Sequence, residues 1–413
     1  MKKYCLIGEK LSHSYSADIH MSEGFNYTLQ EVKPNQLEAF VKNNEFDGFN
    51  ITIPYKQAII PFLDYVSPCA LKANAVNTVV KKEGKLLGYN TDLFGSYISI
   101  KKSGIDIKGK NVLILGKGGA GNALGCLMSD MGASSVNYVT RKGDIDYSNV
   151  YEKCPNADVI INATPYGMYP MLSESPILDV KKFDTLALVF DLIYNPFRTS
   201  LLLEAKKRKI KTISGLYMLV GQAVKAEYIW KNEETDESDV SISTVNRIYK
   251  KLLNSKLNMY FVGMPGSGKS SVAREVALKT NRQFIDTDEE IKKKCSLSHS
   301  EFINKYGEEP FRDIESSVIS ECVKKKSVVV SLGGGAVLRS LTRSLIAQTG
   351  IVYYINRDID KLSLASRPLS VKYGLETLYN QRFRFYEEVA DCVVDNNSCI
   401  NKAVNSVLSY RVE

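Results

Sequence analysis

Two glycine-rich strings in the chain have the spacing of phosphate-binding loops. In the first, Gly116, Gly118 and Gly121 form a G-x-G-x-x-G pattern, with Gly119 between them. The second string, residues 263–270, reads G-x-x-x-x-G-K-S. Backbone amides of such loops meet phosphate oxygens at the start of a helix. We therefore expect a dinucleotide at the first loop and a nucleoside triphosphate at the second.

The second loop also carries side chains for magnesium-dependent phosphoryl transfer. Lys269 is expected to reach the β and γ phosphate oxygens, and Ser270 is expected to bind Mg²⁺. The predicted ATP-binding residues of this loop are Gly263, Gly266, Ser267, Gly268, Lys269 and Ser270.

Basic residues follow the second predicted strand of the first nucleotide-binding region, at Arg141 and Lys142. An NAD site usually has an acidic residue at this place, which holds the ribose 2′-hydroxyl, whereas basic side chains suit a 2′-phosphate. The pair therefore favours NADP. The alternative is that both residues only solvate a loop.

Four polar clusters lie at predicted strand ends in the first hundred residues, at 12–16, 50–56, 74–78 and 88–95. Each cluster alone is consistent with ordinary turn chemistry. Together they supply hydroxyls, amides, one lysine and one aspartate. Such a set suits a small polyhydroxylated carboxylic acid, because each buried polar group needs a partner.

The elements that must position these groups follow an α/β pattern. Short β-branched runs alternate with longer helical patterns, which predicts α/β domains with largely parallel sheets. The strand candidates are 4–8, 27–32, 49–53, 77–80, 111–115, 135–140, 158–162, 187–192, 259–263, 283–286, 327–332, 351–356 and 392–395. Polar hinge residues at 101–110 and an acidic loop at 231–240 indicate domain boundaries.

The composition sets the class of protein. The 413 residues predict two or three domains. With 44% hydrophobic and 24% charged residues, the chain is unlike disordered, collagen-like or small disulfide-linked proteins. The net charge of +8 fits anionic substrates and does not by itself indicate nucleic acid. No apolar stretch is long enough for a membrane span. Eight scattered cysteines without C-x-x-C pairs favour reduced thiols in a cytoplasmic protein.

The first 253 residues resemble shikimate dehydrogenase. The strings that carry the resemblance are Asn-x-Thr-x-Pro-x-Lys at 50–56, Asn-Ala-Val-Asn-Thr at 74–78, Gly-x-Asn-Thr-Asp-x-x-Gly at 88–95, and those at 162–168, 191–196 and 215–222. The resemblance implies that Ser14 and Ser16 hold the substrate carboxylate and that Lys56 and Asp92 form the catalytic pair. Reduction of a ketone develops alkoxide charge, which a positioned ammonium can stabilise and protonate.

The resemblance also assigns the other residues of this first site. The implied substrate contacts are Asn50, Thr52, Asn77, Tyr194 and Gln222; the implied cofactor contacts are Asn162, Ala163, Thr164, Met168 and Gly215. His13 and His20 are expected to make structural hydrogen bonds.

Residues 257–400 resemble shikimate kinase. The strings are the P-loop, Asp-Thr-Asp at 286–288, the helix pair Arg312 and Glu315, Gly-Gly-Gly at 333–335, and the arginines at 367 and 382. The resemblance implies that Asp286 holds magnesium through water and that Asp288 takes the acceptor hydroxyl. The implied carboxylate clamp is Arg312 and Arg382, the implied ring contacts are the amides of Gly334 and Gly335, and Arg367 is the implied lid residue.

These observations predict a bifunctional cytoplasmic enzyme with NADP(H), ATP and Mg²⁺. The predicted domains are a substrate-binding domain at 1–100 completed by helices at 220–253, a Rossmann NADP-binding domain at 101–219, and a P-loop kinase domain at 257–413. The predicted reactions are reduction of 3-dehydroshikimate to shikimate and phosphorylation of shikimate to shikimate 3-phosphate. An alternative is an NAD-dependent quinate or shikimate dehydrogenase fused to a weakly active or regulatory kinase-like module. The short lid segment, 357–366, is the feature that favours the alternative.

Overall fold

Short β-branched runs form parallel strands and amphipathic runs form the helices between them, as the alternating pattern predicts. This computed structural model describes residues 2–11, 14–43, 45–172, 175–232, 240–362 and 374–410, without the side chains of residues 232 and 300. The chain divides into two compact units, Met1–Leu252 and Leu253–Glu413. Arg367, the lid segment from residue 363 and His13 lie outside the described residues.

The first unit begins with a mixed sheet in the order β2-β1-β3-β5-β6-β4. Its strands are β1 (Lys3–Gly8), β2 (Asn26–Glu31), β3 (Gly48–Ile51), β4 (Tyr65–Val66), β5 (Thr78–Lys82) and β6 (Lys85–Tyr89); its helices are α1 (Ser16–Ser22), α2 (Leu37–Asn43), α3 (Pro68–Ala73) and α4 (Asp92–Ser103). Strands β3, β5 and β6 pair in antiparallel fashion. This first sheet is therefore mixed, whereas the expectation of largely parallel pairing holds for the chain as a whole. The pairing of β5 with β6 follows from the turn at Glu83 and Gly84, whose φ values of 51° and 79° allow a two-residue hairpin.

A second sheet of the first unit is wholly parallel, in the order β11-β10-β9-β7-β8. Its strands are β7 (Asn111–Leu115), β8 (Ser135–Val139), β9 (Val159–Asn162), β10 (Leu188–Asp191) and β11 (Lys211–Ser214); the helices are α5 (Gly119–Asp130), α6 (Val150–Lys153), α7 (Ser200–Lys207), α8 (Gly215–Asn232) and α9 (Ile242–Lys256). Helix α8 packs on α4, and its Trp230 Nε1 donates to the carbonyl of Val79 on β5 at 3.0 Å. The chain thus returns to the first sheet after completing the second.

The second unit is built on a parallel sheet in the order β13-β14-β12-β15-β16. Its strands are β12 (Asn258–Val262), β13 (Gln283–Asp286), β14 (Val328–Ser331), β15 (Gly350–Asn356) and β16 (Cys392–Asp395); its described helices are α10 (Lys269–Thr280), α11 (Thr287–Cys295), α12 (His299–Tyr306), α13 (Glu308–Cys322), α14 (Ser340–Thr349), α15 (Leu375–Val389) and α16 (Ile400–Ser409). The predicted α/β class is confirmed. Across the described ranges, no helix has the length and apolar character needed to cross a membrane.

Candidate active sites

Lys56 and Asp92 form a close ion pair in the first unit. Lys56 lies in the loop after β3, and Asp92 is the first residue of α4. The Lys56 Nζ donates to Asp92 Oδ2 at 2.6 Å, and the two side chains are 23% and 17% exposed. Backbone contacts hold the pair: the amide of Val76 donates to the carbonyl of Lys56 at 2.8 Å, and Asn90 Oδ1 accepts from the amide of Asp92 at 3.1 Å. An ammonium group is therefore fixed at a half-open position where a substrate can reach it.

A buried amide network lies at the strand ends beside this pair. Asn77 Oδ1 accepts from the backbone amide of Thr91 at 2.7 Å, and its Nδ2 donates to Thr91 Oγ1 at 3.1 Å and to Gln222 Oε1 at 3.4 Å. Gln222 belongs to α8, so the packing of α8 on α4 brings it there. Thr91 was not predicted as a site residue. Its place between Asn90 and Asp92 in the Gly-x-Asn-Thr-Asp string was the available signal.

Asn50 joins this network from β3. Its Nδ2 donates to the carbonyl of Asn77 at 3.2 Å and to Thr78 Oγ1 at 3.0 Å. Its Oδ1 accepts from the hydroxyl of Tyr27 at 2.8 Å. Burial raises the pKa of Tyr27 well above its ordinary value, so the hydroxyl remains a donor and fixes the amide orientation of Asn50. Thr52 is half-buried just beyond the end of the same strand.

The structure places the predicted serines beside Tyr194. Ser14 Oγ lies 3.2 Å from Ser16 Oγ and also accepts from the Ser16 amide at 3.2 Å. Burial raises the pKa of Tyr194 to about 12, while its hydrogen bond with Ser14 acts in the opposite direction. Three hydroxyls are therefore grouped at the start of α1. His20, also on α1, is fully buried with Nδ1 2.8 Å from Glu227 Oε1, as a structural hydrogen bond requires.

The first glycine loop packs closely enough to exclude side chains. A Cβ at Gly121 would lie 2.2 Å from the carbonyl oxygen of Gly116, so helix α5 can approach the loop only with glycine at this position. Gly118 precedes α5, which begins at Gly119. The loop thus leaves backbone amides at a helix start for a pyrophosphate. Gly215 begins α8, directly after strand β11 of the same sheet.

Asn162, at the end of β9, is fixed by a buried carboxylate. Its Nδ2 lies 3.1 Å from both carboxylate oxygens of Asp191, which also accepts from the Thr199 hydroxyl at 2.6 Å. Burial raises the pKa of Asp191 to about 6, although these hydrogen bonds oppose the shift. Asn162 Oδ1 in turn accepts from the amide and hydroxyl of Thr164 at 3.0 and 2.7 Å.

Three other predicted cofactor residues of this unit lie on its surface. Arg141 and Lys142 follow β8 and are exposed, and Met168 is exposed in the loop after β9. These side chains are accessible to a bound dinucleotide.

In the second unit, the P-loop connects β12 to α10. Gly266 and Gly268 have φ values of 84° and 89°, which turn the loop so that its backbone amides can form a phosphate cradle. Lys269 Nζ folds back to the carbonyl of Met264 at 3.0 Å, and Ser270 Oγ lies 3.0 Å from Ser331 Oγ on β14. The Oγ of Ser267 is buried without a hydrogen-bond partner among the described residues, so the loop retains donor capacity for a phosphate.

A buried charge cluster lies on α13 beside the Gly-Gly-Gly string at 333–335. Arg312 Nη1 donates to Glu315 Oε2 at 2.7 Å, and Nη2 donates to Glu308 Oε1 at 3.0 Å. Burial raises the pKa of Glu315, and the negative charge of Asp288 adds to this effect. Burial disfavours the Arg312 charge, but its attraction to Glu315 and its hydrogen bonds leave the pKa raised, so the guanidinium stays charged. A Cβ at Gly335 would lie 2.3 Å from Arg312 Nη2, so this loop touches the guanidinium directly.

Arg382, on α15, is the second predicted clamp residue and is also buried. It hydrogen-bonds Tyr386, whose hydroxyl donates to the carbonyl of Gly334. The Nε atoms of Arg312 and Arg382 are buried without hydrogen-bond partners in the described part of the chain. Unpaired guanidinium donors of this kind fit a carboxylate ligand, because a buried donor is costly unless it is satisfied. Tyr386 was missed, although it follows Arg382 by four residues and so shares its helix face.

Asp286 caps α11, where its Oδ1 accepts from the amide of Asp288 at 3.0 Å. Within the described ranges, no group of three or more His, Cys, Asp or Glu side chains could hold a metal ion. A single carboxylate such as Asp286 suits Mg²⁺, which keeps several waters and takes one or two protein ligands together with phosphate oxygens.

Comparisons with known proteins match the two ends of the chain to two different families. The family model for shikimate kinase matches residues 265–410, and that for the shikimate dehydrogenase substrate binding domain matches residues 6–79. A shikimate dehydrogenase (NADP(+)) of Clostridium beijerinckii is 38% identical over 258 residues, which are 57% of this chain and 94% of the relative. The structure of shikimate dehydrogenase 1 from Peptoclostridium difficile is 36% identical, with a TM-score of 0.55, and covers 61% of this chain and 98% of its own. That of the Thermus thermophilus enzyme in complex with NADP(H) and shikimate is 30% identical, with a TM-score of 0.51 over 61% and 100%.

Proposed function

Because the chain belongs to the shikimate dehydrogenase family and matches the shikimate kinase model at residues 265–410, we propose that it makes shikimate and then phosphorylates it. The first unit reduces 3-dehydroshikimate with NADPH, and the second transfers a phosphoryl group from MgATP to the 3-hydroxyl of shikimate. The product of one reaction is the substrate of the other. We also propose that both reactions occur in the cytoplasm.

The observation that carries the first reaction is the half-open Lys56–Asp92 pair. When bound, NADPH supplies the hydride. Lys56 stabilises the developing alkoxide and delivers its proton, and Asp92 orients the ammonium. The hydroxyls of Ser14, Ser16 and Tyr194 hold the substrate carboxylate. The fixed amides of Asn50, Asn77 and Gln222, with the hydroxyl of Thr52, hold its hydroxyls.

The residues of the first glycine loop fit a dinucleotide. The close approach of Gly121 to Gly116 leaves a cradle that a side chain would fill. Arg141 and Lys142 supply positive charge for a 2′-phosphate. Asn162 and Thr164, held by Asp191, line the nicotinamide side with Met168 and Gly215. The NAD-dependent alternative is not favoured, since the curated relatives are NADP enzymes.

In the second unit, the P-loop amides and Lys269 bind the ATP phosphates, and Ser270 and Asp286 hold magnesium. Arg312 and Arg382 bind the shikimate carboxylate through their unpaired Nε donors, with the amides of Gly334 and Gly335 against the ring. Asp288 accepts the proton of the attacking hydroxyl. Arg367 is proposed to meet the charge of the moving phosphoryl group.

The test is to assay both reactions on one purified chain. With 3-dehydroshikimate, NADPH and MgATP, we expect shikimate 3-phosphate to accumulate. Lys56→Met should stop this sequence unless shikimate is added, and Lys269→Met should stop it at shikimate. A parent chain that reduces 3-dehydroshikimate but does not consume ATP with shikimate would refute the kinase half and leave the dehydrogenase half standing.

A further inference from the structure

His299 is placed to act on the carboxylate that accepts the acceptor proton. It begins α12, and its Nε2 lies 3.6 Å from Asp288 Oδ1 at the start of α11. The two side chains are 29% and 50% exposed, but the Nε2 atom itself is shielded from solvent. This Nε2 has no hydrogen-bond partner in the described part of the chain. A shielded polar atom near a carboxylate, without a partner of its own, is costly unless a hydrogen bond forms at some stage.

The imidazole is held in place from its other side. Its ring packs edge-to-face on Phe311, with the ring centroids 4.6 Å apart. Ser298 caps the helix in a reciprocal pair with Glu301, which fixes the first turn that carries His299. Ring packing and the helix cap therefore hold the imidazole so that its Nε2 atom stays near Asp288.

Asp288 lies beside a second carboxylate. A Cβ built at Gly333 would lie 2.8 Å from Asp288 Oδ1 and 2.6 Å from Glu315 Oε1, so the two carboxylates converge on the same glycine. The nearby guanidinium of Arg312 donates to Glu315 and Glu308. Like charges repel, so a donor at His299 Nε2 would help to hold the Asp288 carboxylate in place beside Glu315.

We propose that His299 is a positioning residue of the kinase reaction: its Nε2–H donates to Asp288 and aims the carboxylate at the acceptor hydroxyl. This inference rests on the proposed kinase function. The hydroxyl oxygen forms the new bond to phosphorus, the bond to the ADP oxygen breaks with its electron pair leaving on ADP, and the hydroxyl proton passes to Asp288. His299 keeps its proton throughout. A separation of 3.6 Å is too long for a hydrogen bond, but catalytic hydrogen bonds commonly shorten when substrate binds.

The test compares variants that distinguish the hydrogen-bond donor of His299 from the packing of its ring. His299→Phe keeps an aromatic ring against Phe311 but has no donor, His299→Gln restores a donor at similar reach, and His299→Ala lacks both. Asn304→Ala, at an exposed position on the same helix, is the matched control. The kcat and the KM for shikimate and for ATP are measured on the full chain. Equilibrium binding of ATP reports on the fold of the second unit, and the dehydrogenase rate reports on the first.

We expect His299→Phe and His299→Ala to lower the kinase kcat about tenfold to a hundredfold, the effect of losing one hydrogen bond to a charged group. The KM for ATP should stay within about twofold, and His299→Gln should recover the kcat to within about threefold of the control. The proposal is overturned if His299→Phe keeps the parent kcat, if only His299→Ala is impaired, or if His299→Gln is as slow as His299→Phe. A parent chain that never phosphorylates shikimate would instead refute the kinase function on which the proposal rests.

Discussion

Replacing Lys56 by methionine is expected to abolish most of the dehydrogenase activity while the kinase activity remains. Methionine keeps the length of the aliphatic side chain and removes only the ammonium group. Loss of a positioned acid lowers a rate by about 10²–10⁴-fold. Because the Lys56 and Asp92 side chains are less than a quarter exposed, bulk water replaces the lost ammonium poorly. We therefore expect a loss of about 10³-fold, or about 4 kcal/mol of transition-state stabilisation.

Asp92→Asn should lower the dehydrogenase rate by a smaller factor than Lys56→Met. The amide oxygen can still accept from Lys56 across the present 2.6 Å, but the contact loses its negative partner. The ammonium donor keeps its charge, so the substitution removes only its attraction to a negative acceptor, which is worth about 1 kcal/mol. A loss of about 1 kcal/mol corresponds to about fivefold in rate.

The assay is the initial rate of NADPH oxidation with 3-dehydroshikimate, together with equilibrium binding of NADPH, which should not change. Lys42→Met is the matched control, because the pair of Lys42 with Glu38 has the same 2.6 Å separation but side chains that are 66% and 59% exposed. This variant should keep the parent rate. The reasoning fails if Lys56→Met reduces substrate at the parent rate, or if Asp92→Asn is the more damaging change.

Four further results are expected. Arg141→Asp should raise the KM for NADPH about tenfold and change that for NADH little, since a carboxylate repels the 2′-phosphate; equal changes would contradict the NADP assignment. Arg312→Lys should raise the KM for shikimate about tenfold and leave kcat nearly unchanged. Lysine keeps the positive charge beside Glu315 but lacks the planar guanidinium that binds a carboxylate with two hydrogen bonds. A loss confined to kcat would exclude a carboxylate clamp. A fragment beginning at Lys256 should fold and bind ATP, as the division near Leu253 implies, and calorimetric melting with an ATP titration would detect failure. As the pH rises from about 4 to 7, the unfolding free energy of the parent should fall by about 3 kcal/mol relative to that of Asp191→Asn. The reason is that the pKa of Asp191, raised to about 6, lets the folded state keep a proton that the unfolded state releases. A difference in unfolding free energy that does not depend on pH would refute this.

Sequence reasoning placed the phosphate-binding elements accurately, because glycine spacing is a local signal. Strands β7, β13 and β16 have the predicted bounds, and each glycine loop joins a strand to a helix. The pattern missed β4, β6 and β11. Strand β4 has only two residues, which is too few to show an alternation. Strand β6 follows β5 after a turn of only two residues, so the sequence pattern does not separate the two strands. These strands exist because neighbouring strands pair with them, which a local pattern does not reveal.

The interior of each site was less predictable than its loops. Family resemblance led to Asn50, but Tyr27, which orients its amide, lies outside every short motif that carries the resemblance. Tyr27 comes from the neighbouring half of the first sheet and is brought to Asn50 by strand pairing through β1. Only the register of three strands makes this contact, so no short motif could contain it.

The two proposed carboxylate sites differ in a way that follows from their chemistry. In the first unit, Ser14, Ser16 and Tyr194 supply neutral donors, so the Lys56 ammonium can act on the reacting carbonyl without competition from a second cation at the carboxylate. In the second unit, the attacking hydroxyl must approach phosphates that are already negatively charged. Two buried guanidinium groups, at Arg312 and Arg382, offset the repulsion between the shikimate carboxylate and those phosphates. Glu315 accepts a hydrogen bond from Arg312 at 2.7 Å. Its negative charge offsets the buried positive charge, which keeps the cluster folded before substrate binds. On this proposal, the same acid is held by hydroxyls where a proton and a hydride are delivered, and by paired charge where a phosphoryl group is transferred.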